Sequence, residues 1–167
     1  MTRSPPGSME AKVMTAKATR LACGVAILAL GAARPLNAQL EIGTWVRQPT
    51  ASSPSMTMNI AACCNGGRRL TYHVDINGTE TLLIVETKLD GSETPVLMNG
   101  KPSGETMAIT RLDAHHASTI LKMSGKPFGT SQATLSADGR TLTVLNDFSS
   151  SVGGQTVGKS TEVWVKQ

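Results

Sequence analysis

Arg69-Leu70-Thr71-Tyr72-His73-Val74-Asp75-Ile76-Asn77-Gly78 writes a strand and the turn that ends it in ten residues. Leu70, Tyr72, Val74 and Ile76 share one parity; Arg69, Thr71, His73 and Asp75 share the other. Successive side chains of an extended chain point to opposite faces. The stretch therefore reads as a half-buried antiparallel strand with one apolar and one wet face. Asn-Gly supplies the positive φ angles of a tight hairpin, so the chain is predicted to turn back at Asn77-Gly78.

The same grammar runs outward in both directions. Turn signals recur about every ten residues: Asn65-Gly66-Gly67, Asp90-Gly91, Asn99-Gly100, Gly125-Lys126-Pro127, Asp138-Gly139 and Gly153-Gly154. Ala133, Leu135 and Ala137 alternate with Gln132, Thr134 and Ser136. Leu142, Val144 and Phe148 alternate with Thr141, Thr143 and Asp147, with Asn146 interrupting the apolar row. The pattern predicts nine or ten strands, near 42–48, 55–63, 68–76, 81–89, 94–98, 105–112, 117–124, 129–137, 141–149 and 157–166. The segment Pro49 to Pro54 reads as a loop, and helical periodicity is scarce after residue 38. So many sequential strands in one open sheet would leave unpaired edges. An all-β, antiparallel up-and-down barrel or clam of about 8–10 strands is therefore expected, with Thr161–Lys166 closing on Ile42–Gln48. An immunoglobulin-type sandwich needs longer crossovers than these.

The chain has 167 residues, 40% apolar and 17% charged, which fits one globular domain. Its +4 charge is localised: the first 38 residues hold Arg3, Lys12, Lys17, Arg20 and Arg34 against Glu10, and the rest is neutral. Leu21 to Ala33 carries no charge, and at roughly 20 Å as a helix it is shorter than a membrane span. A basic start, a short apolar run and a small-residue exit predict a signal peptide over 1–38, cut after Ala38, with Ala33 as second choice. Met14 offers a later start. Cys23 lies at the beginning of the apolar run rather than its end, which argues against a lipid anchor. The expected protein is an exported domain over 39–167, periplasmic or extracellular, without a membrane span after processing.

Gly43-Thr44-Trp45 stands just past the expected cut, at the start of the first strand. A G-x-W there, followed by a neutral meander of this length, resembles the calycin group of lipocalins, fatty-acid-binding proteins and avidins. The hairpins Asp90-Gly91 to Pro95-Val96 and Ser136 to Val144 resemble small exported bacterial proteins of unassigned function with lipocalin-like folds. The resemblance covers most of 41–167. It implies a barrel whose floor is closed by Trp45 and whose interior carries a small molecule. Lys166 is the nearest late basic residue to the arginine that lipocalins pack over this tryptophan, and the T-D-Y loop motif of classical lipocalins is absent.

Several residue groups invite a chemical reading. Cys63-Cys64 would be either packing and turn residues with thiols on opposite strand faces, a vicinal disulfide, or an intermolecular bridge or metal site. The pair lacks C-x-x-C spacing. His115 and His116 follow Asp113 in an expected loop, and with His73 they read as solvated residues rather than metal ligands. No G-x-S-x-G elbow occurs, and Asp75, Glu86 and Glu105 are assigned to outward strand faces. Arg68-Arg69 is too short a basic run to track a phosphate backbone, and aromatics at 3% leave few bases for stacking. Nucleic acid, metal and cofactor are therefore not expected, and an enzyme is the lesser reading.

What remains is the interior, for which Trp45, Met58, Tyr72, Val74, Leu83, Val85, Met107, Ile109, Leu121, Leu135, Leu142 and Val144 are the inward candidates. The first expectation is an exported non-catalytic carrier of a small apolar or amphipathic ligand. The alternative is a filled barrel that binds a protein or envelope component. Redox or metal chemistry at the paired cysteines ranks third.

Overall fold

The computed structural model describes residues 41–50, 56–76, 78–151 and 156–167. The expected leader and its cut lie outside the described residues. Tight turns set the architecture. Asn99 and Gly100 both take positive φ (48° and 79°), as do Ser124 and Gly125 (50° and 79°). That geometry carries the twist of two antiparallel strands, so each pair returns the chain directly alongside itself.

Ten strands follow in sequence: β1 (Gly43–Arg47), β2 (Met56–Cys63), β3 (Gly67–Ile76), β4 (Thr79–Thr87), β5 (Asp90–Met98), β6 (Lys101–Arg111), β7 (His116–Met123), β8 (Lys126–Leu135), β9 (Thr141–Phe148) and β10 (Gly158–Lys166). Each pairs antiparallel with the next, and β10 pairs with β1 to close the barrel. The closing ladder matches Trp45 with Lys166 and Arg47 with Trp164. No sheet edge is left open, which removes the unpaired N–H and C=O rows of an edge strand.

Two turns fall elsewhere than the sequence suggests: Lys126 and Pro127, expected in a turn, open β8 behind the Ser124-Gly125 reversal, and a second turn moves ahead of β5. The chain reverses at Lys88-Leu89, with Leu89 at φ 62°, so Asp90 and Gly91 open β5 rather than form the turn. The Thr87 hydroxyl accepts the Leu89 N–H at 3.0 Å and holds this reversal. Strands β5 and β6 consequently begin about four residues earlier than expected. Pro95 and Pro102 are accommodated because this ladder is irregular: Pro95 pairs with Thr106 but Leu97 with Pro102.

The barrel has two ends. One, here the floor, holds the start of β1, the end of β10 and the turns at 64–66 and 88–89. The other, the rim, holds the turns at 78, 99–100 and 124–125. Three apolar clusters line the inner wall. Trp45, Met58, Ile60, Leu135 and Trp164 pack toward the floor. Val85, Val96 and Ile109 form the second cluster, and Leu121, Phe128 and Phe148 form the third, toward the rim. The Phe128 and Phe148 rings stack at 6.2 Å, and Gly129 makes room for them: a Cβ there would lie 2.4 Å from the Phe148 ring. Outward, Arg69 faces Glu86 and Lys122 faces Glu93, ion pairs on solvated strand faces.

Candidate functional site

The floor is tied by charge as well as by packing. Trp45 is fully buried, and its indole N–H donates to the Glu41 carbonyl at 2.8 Å. The Glu41 carboxylate receives Arg68 from β3 (Nε 2.9 Å, Nη2 2.8 Å) and Arg111 from β6 on the same oxygen. Arg68 also donates to the carbonyls of Gly66 and Gly67. The Lys166 ammonium stands 5.6 Å from the centre of the Trp45 ring. Glu41, two residues ahead of β1, thus joins two strands that stand three apart in the barrel wall.

A second polar group sits higher on the inner wall. Arg47 donates to Glu162 at 2.9 Å and lies 6.0 Å from the centre of the Trp164 ring; the Trp164 indole donates to the other Glu162 oxygen at 3.2 Å. The Tyr72 ring meets Trp164 edge-on at 6.2 Å. Burial, then the Glu162 and Glu105 carboxylates, push the Tyr72 phenol above its usual range. On the next ladder, the Ser131 hydroxyl donates to Asn146 Oδ1 at 2.6 Å. This contact satisfies the polar residue that interrupts the apolar row of β9.

Glu105 corrects the sequence reading. It was assigned to an outward face with Asp75 and Glu86, which are indeed exposed. The two-residue step that turns Met107 and Ile109 inward carries Glu105 inward as well. A bulge fixes it there: Ser103, Gly104 and Glu105 occupy the extra length of β6 between its Leu97 and Pro95 pairings. The Ser103 hydroxyl donates to Val96 O at 2.9 Å and accepts the Glu105 N–H at 3.1 Å, and Gly104 takes φ 85°. Bulges of this kind re-aim a side chain. Burial raises the Glu105 carboxyl above its ordinary value, and among the described residues no counter-charge offsets that shift.

The twelve inward candidates are all buried or half-buried. Trp45, Met58 and Leu135 belong to the floor cluster, with Tyr72, Leu142 and Val144 packed against it. Val85 and Ile109 belong to the second, with Leu83 and Met107 against it, and Leu121 to the third. Val74 is buried near the rim, where Met56, Thr57, His73, Val74, Asp75 and Glu80 line an open cleft of about 350 Å³.

Cys63 and Cys64 are joined as a vicinal disulfide. The opposite-face packing expected for strand neighbours does not hold, because Cys64 lies in the turn. It takes φ 53°, followed by Asn65 at 54° and Gly66 at 102°. The histidines are dispersed. His73 Nδ1 contacts Glu80 at 2.6 Å, His115 Nδ1 contacts the Leu135 carbonyl at 3.1 Å, and His116 Nδ1 contacts Asp113. Hydrogen bonds from the His115 backbone N–H and the His116 ring lower the Asp113 carboxyl. Among the described residues no group of His, Cys, Asp and Glu has the arrangement of a metal site, and no helix is long and apolar enough to cross a membrane.

Sequence reasoning missed the interior charged residues: Glu41, Arg47, Arg68, Glu105, Arg111 and Glu162. Parity was the available signal. Arg47 is two residues from Trp45, Arg68 two from Leu70, and Glu105 two from Met107. No known protein family matches the sequence, and no characterised protein matches it. The closed ten-strand meander is consistent with a lipocalin-like barrel.

Proposed function

We propose that this protein is an exported, non-catalytic carrier of the calycin kind that holds a small apolar or amphipathic molecule inside the barrel. The observation that carries the reading is the state of the inner wall. Leu70, Tyr72, Leu83, Met107, Leu142 and Val144 face inward yet are only half-buried. Barrel diameter grows with strand number, and eight strands already leave an interior that side chains fill or one small ligand occupies. Ten strands widen it. Methionine and aliphatic side chains adapt to different ligand shapes, and burying roughly 200 Å² of apolar surface there gains about 5 kcal/mol before immobilisation costs.

Kinship to calycins is supported by Gly43-Thr44-Trp45 at the start of β1, by the burial of Trp45, and by the Lys166 ammonium over its ring. Export is supported by the leader pattern of residues 1–38. The second reading, a filled barrel that docks on a partner, draws on Ile120 and Leu145, apolar side chains exposed on the outer faces of β7 and β9.

Native mass spectrometry of protein recovered from its own envelope or medium tests the carrier reading. An organic adduct released on unfolding is the expected result. Protein of bare polypeptide mass that also takes up no octan-1-ol at millimolar concentration refutes the carrier and favours the filled barrel.

A further inference from the structure

Among the described residues, the inward charges divide into those that are answered and Glu105, which is not. At the floor, Glu41 answers Arg68 and Arg111. Higher on the wall, Glu162 answers Arg47 and takes a hydrogen bond from Trp164. Glu105 forms no ion pair among the described residues. It stands six residues along β6 from Arg111, roughly 20 Å away at strand rise, so the floor cations do not serve it. The Tyr72 hydroxyl makes no hydrogen bond among the described residues either. Among the described residues every fully buried polar side-chain atom has a partner. The Tyr72 hydroxyl and the Glu105 carboxylate therefore keep access to a small molecule or water. Glu105 also raises the Tyr72 phenol, so its charge acts across the interior on that ring.

We infer that the ligand is an amphipathic amine whose ammonium pairs with Glu105 and lies beside the Tyr72 hydroxyl, with its apolar part along Met107 and Leu83. The inference rests on the carrier reading and specifies its ligand class. An unpaired carboxylate in an apolar wall is unfavourable when empty, and an ammonium both neutralises it and donates hydrogen bonds to it. An anionic ligand meets the opposite situation, because the inward guanidinium groups of Arg47, Arg68 and Arg111 already bind carboxylates. The rim does not make this choice: Asp75 and Glu80 stand there with Lys101 and Lys126, so both signs are present. Selection by charge falls to Glu105, which the alternation of β6 turns inward beside the Ser103-Gly104 bulge.

Three probes of equal chain length separate the inference from the reading beneath it: octan-1-ol, octylammonium and octanoate, titrated at pH 7 by calorimetry and by the fluorescence of Trp164. Octanol uptake reports the apolar interior alone. The expected order is octylammonium at least tenfold tighter than octanol, with octanoate weakest. Glu105→Gln should bring octylammonium down to the octanol affinity and leave octanol unchanged. Glu86→Gln, on the outer face, removes the same net charge and should leave the order intact. Equal affinity of the alcohol and the ammonium, or an ammonium preference that survives Glu105→Gln, overturns the amine assignment while the carrier stands. Failure of all three probes overturns the carrier reading and the assignment with it. The wild-type order decides the question even where a variant folds poorly.

Discussion

Glu41→Ala removes one carboxylate from between two guanidinium groups, and the structure sets the scale of the loss. Arg68 is nearly buried, with its side chain 7% exposed, and it loses the acceptor for both Nε and Nη2. Arg111 loses the same oxygen but is more open, at 30%. Two guanidinium groups about 6 Å apart repel by about 3 kcal/mol at an effective dielectric of ~20. Arg111 relieves part of this by swinging into water, and Arg68 keeps its bonds to the Gly66 and Gly67 carbonyls. Breaking a buried pair by removing one partner costs about 3–5 kcal/mol, so about 3 kcal/mol of unfolding free energy is expected here. Urea denaturation followed by tryptophan fluorescence measures it as a lower midpoint at unchanged slope. Salt identifies the cause: at 1 M the screening length falls to about 3 Å, so the deficit should narrow, which a packing defect would not do. Glu41→Ala/Arg111→Ala should lose less than the sum of the single losses, because removing Arg111 relieves the repulsion. A loss below about 1 kcal/mol, insensitive to salt, would mean that the cluster behaves as a surface ion pair and does not tie the floor.

Two further outcomes are expected. Gly129→Ala places a methyl group against the Phe148 ring and must displace it from Phe128, for a loss of about 1–3 kcal/mol in the same urea titration; a loss under ~0.5 kcal/mol would show that the stack yields freely. Burial raises the Glu105 carboxyl above its ordinary 4.5, so the folded state holds its proton more tightly than the unfolded chain does. Its contribution to stability is therefore fully present below about pH 4.5 and is lost as pH rises through the raised value. Glu105→Gln should be more stable than wild type at pH 7, with the difference narrowing toward pH 4, and a pH-independent difference between the two urea curves would contradict the burial.

The fold was legible because two independent signals agree along most of residues 41–167. Period-two alternation marks the strands, and Asn-Gly chemistry reverses the chain at Asn99-Gly100, while the signal at Gly125-Lys126-Pro127 lies one residue late because Ser124 and Gly125 take the positive φ angles. The closure of Thr161–Lys166 on the first strand followed from the physics of unpaired edges. The failures are local and have physical causes. Lys88-Leu89 carries no turn signature, and its reversal depends on the Thr87 hydroxyl, which folding alone brings into place. The twelve apolar candidates are buried or half-buried because burial follows hydrophobicity. The inward charges are not legible from hydrophobicity, because charge ordinarily faces water and only strand parity marks these positions. Arg47 and Arg68 can occupy the interior only because Glu162 and Glu41 meet them there, and those partners lie 115 and 27 residues away in the chain. Of the readings open for Cys63-Cys64 the vicinal disulfide holds, with Cys64 at positive φ in the turn beyond the strand that ends at Cys63.

The interior polar groups bear on function through their differences. Asn146 with Ser131, Arg47 with Glu162, and Glu41 with Arg68 and Arg111 are satisfied from within the chain, and each explains itself as structure. A barrel selected only for stability would treat position 105 as it treats 107 and 109, with an apolar side chain against the same wall. It carries a carboxylate instead, on a bulge shaped by the Ser103 hydroxyl and the left-handed Gly104. Departures from the packing rule that reduce stability without an internal partner are where function is expected. Removing that charge should separate the two properties: the Glu105→Gln barrel becomes firmer and binds its ligand less selectively.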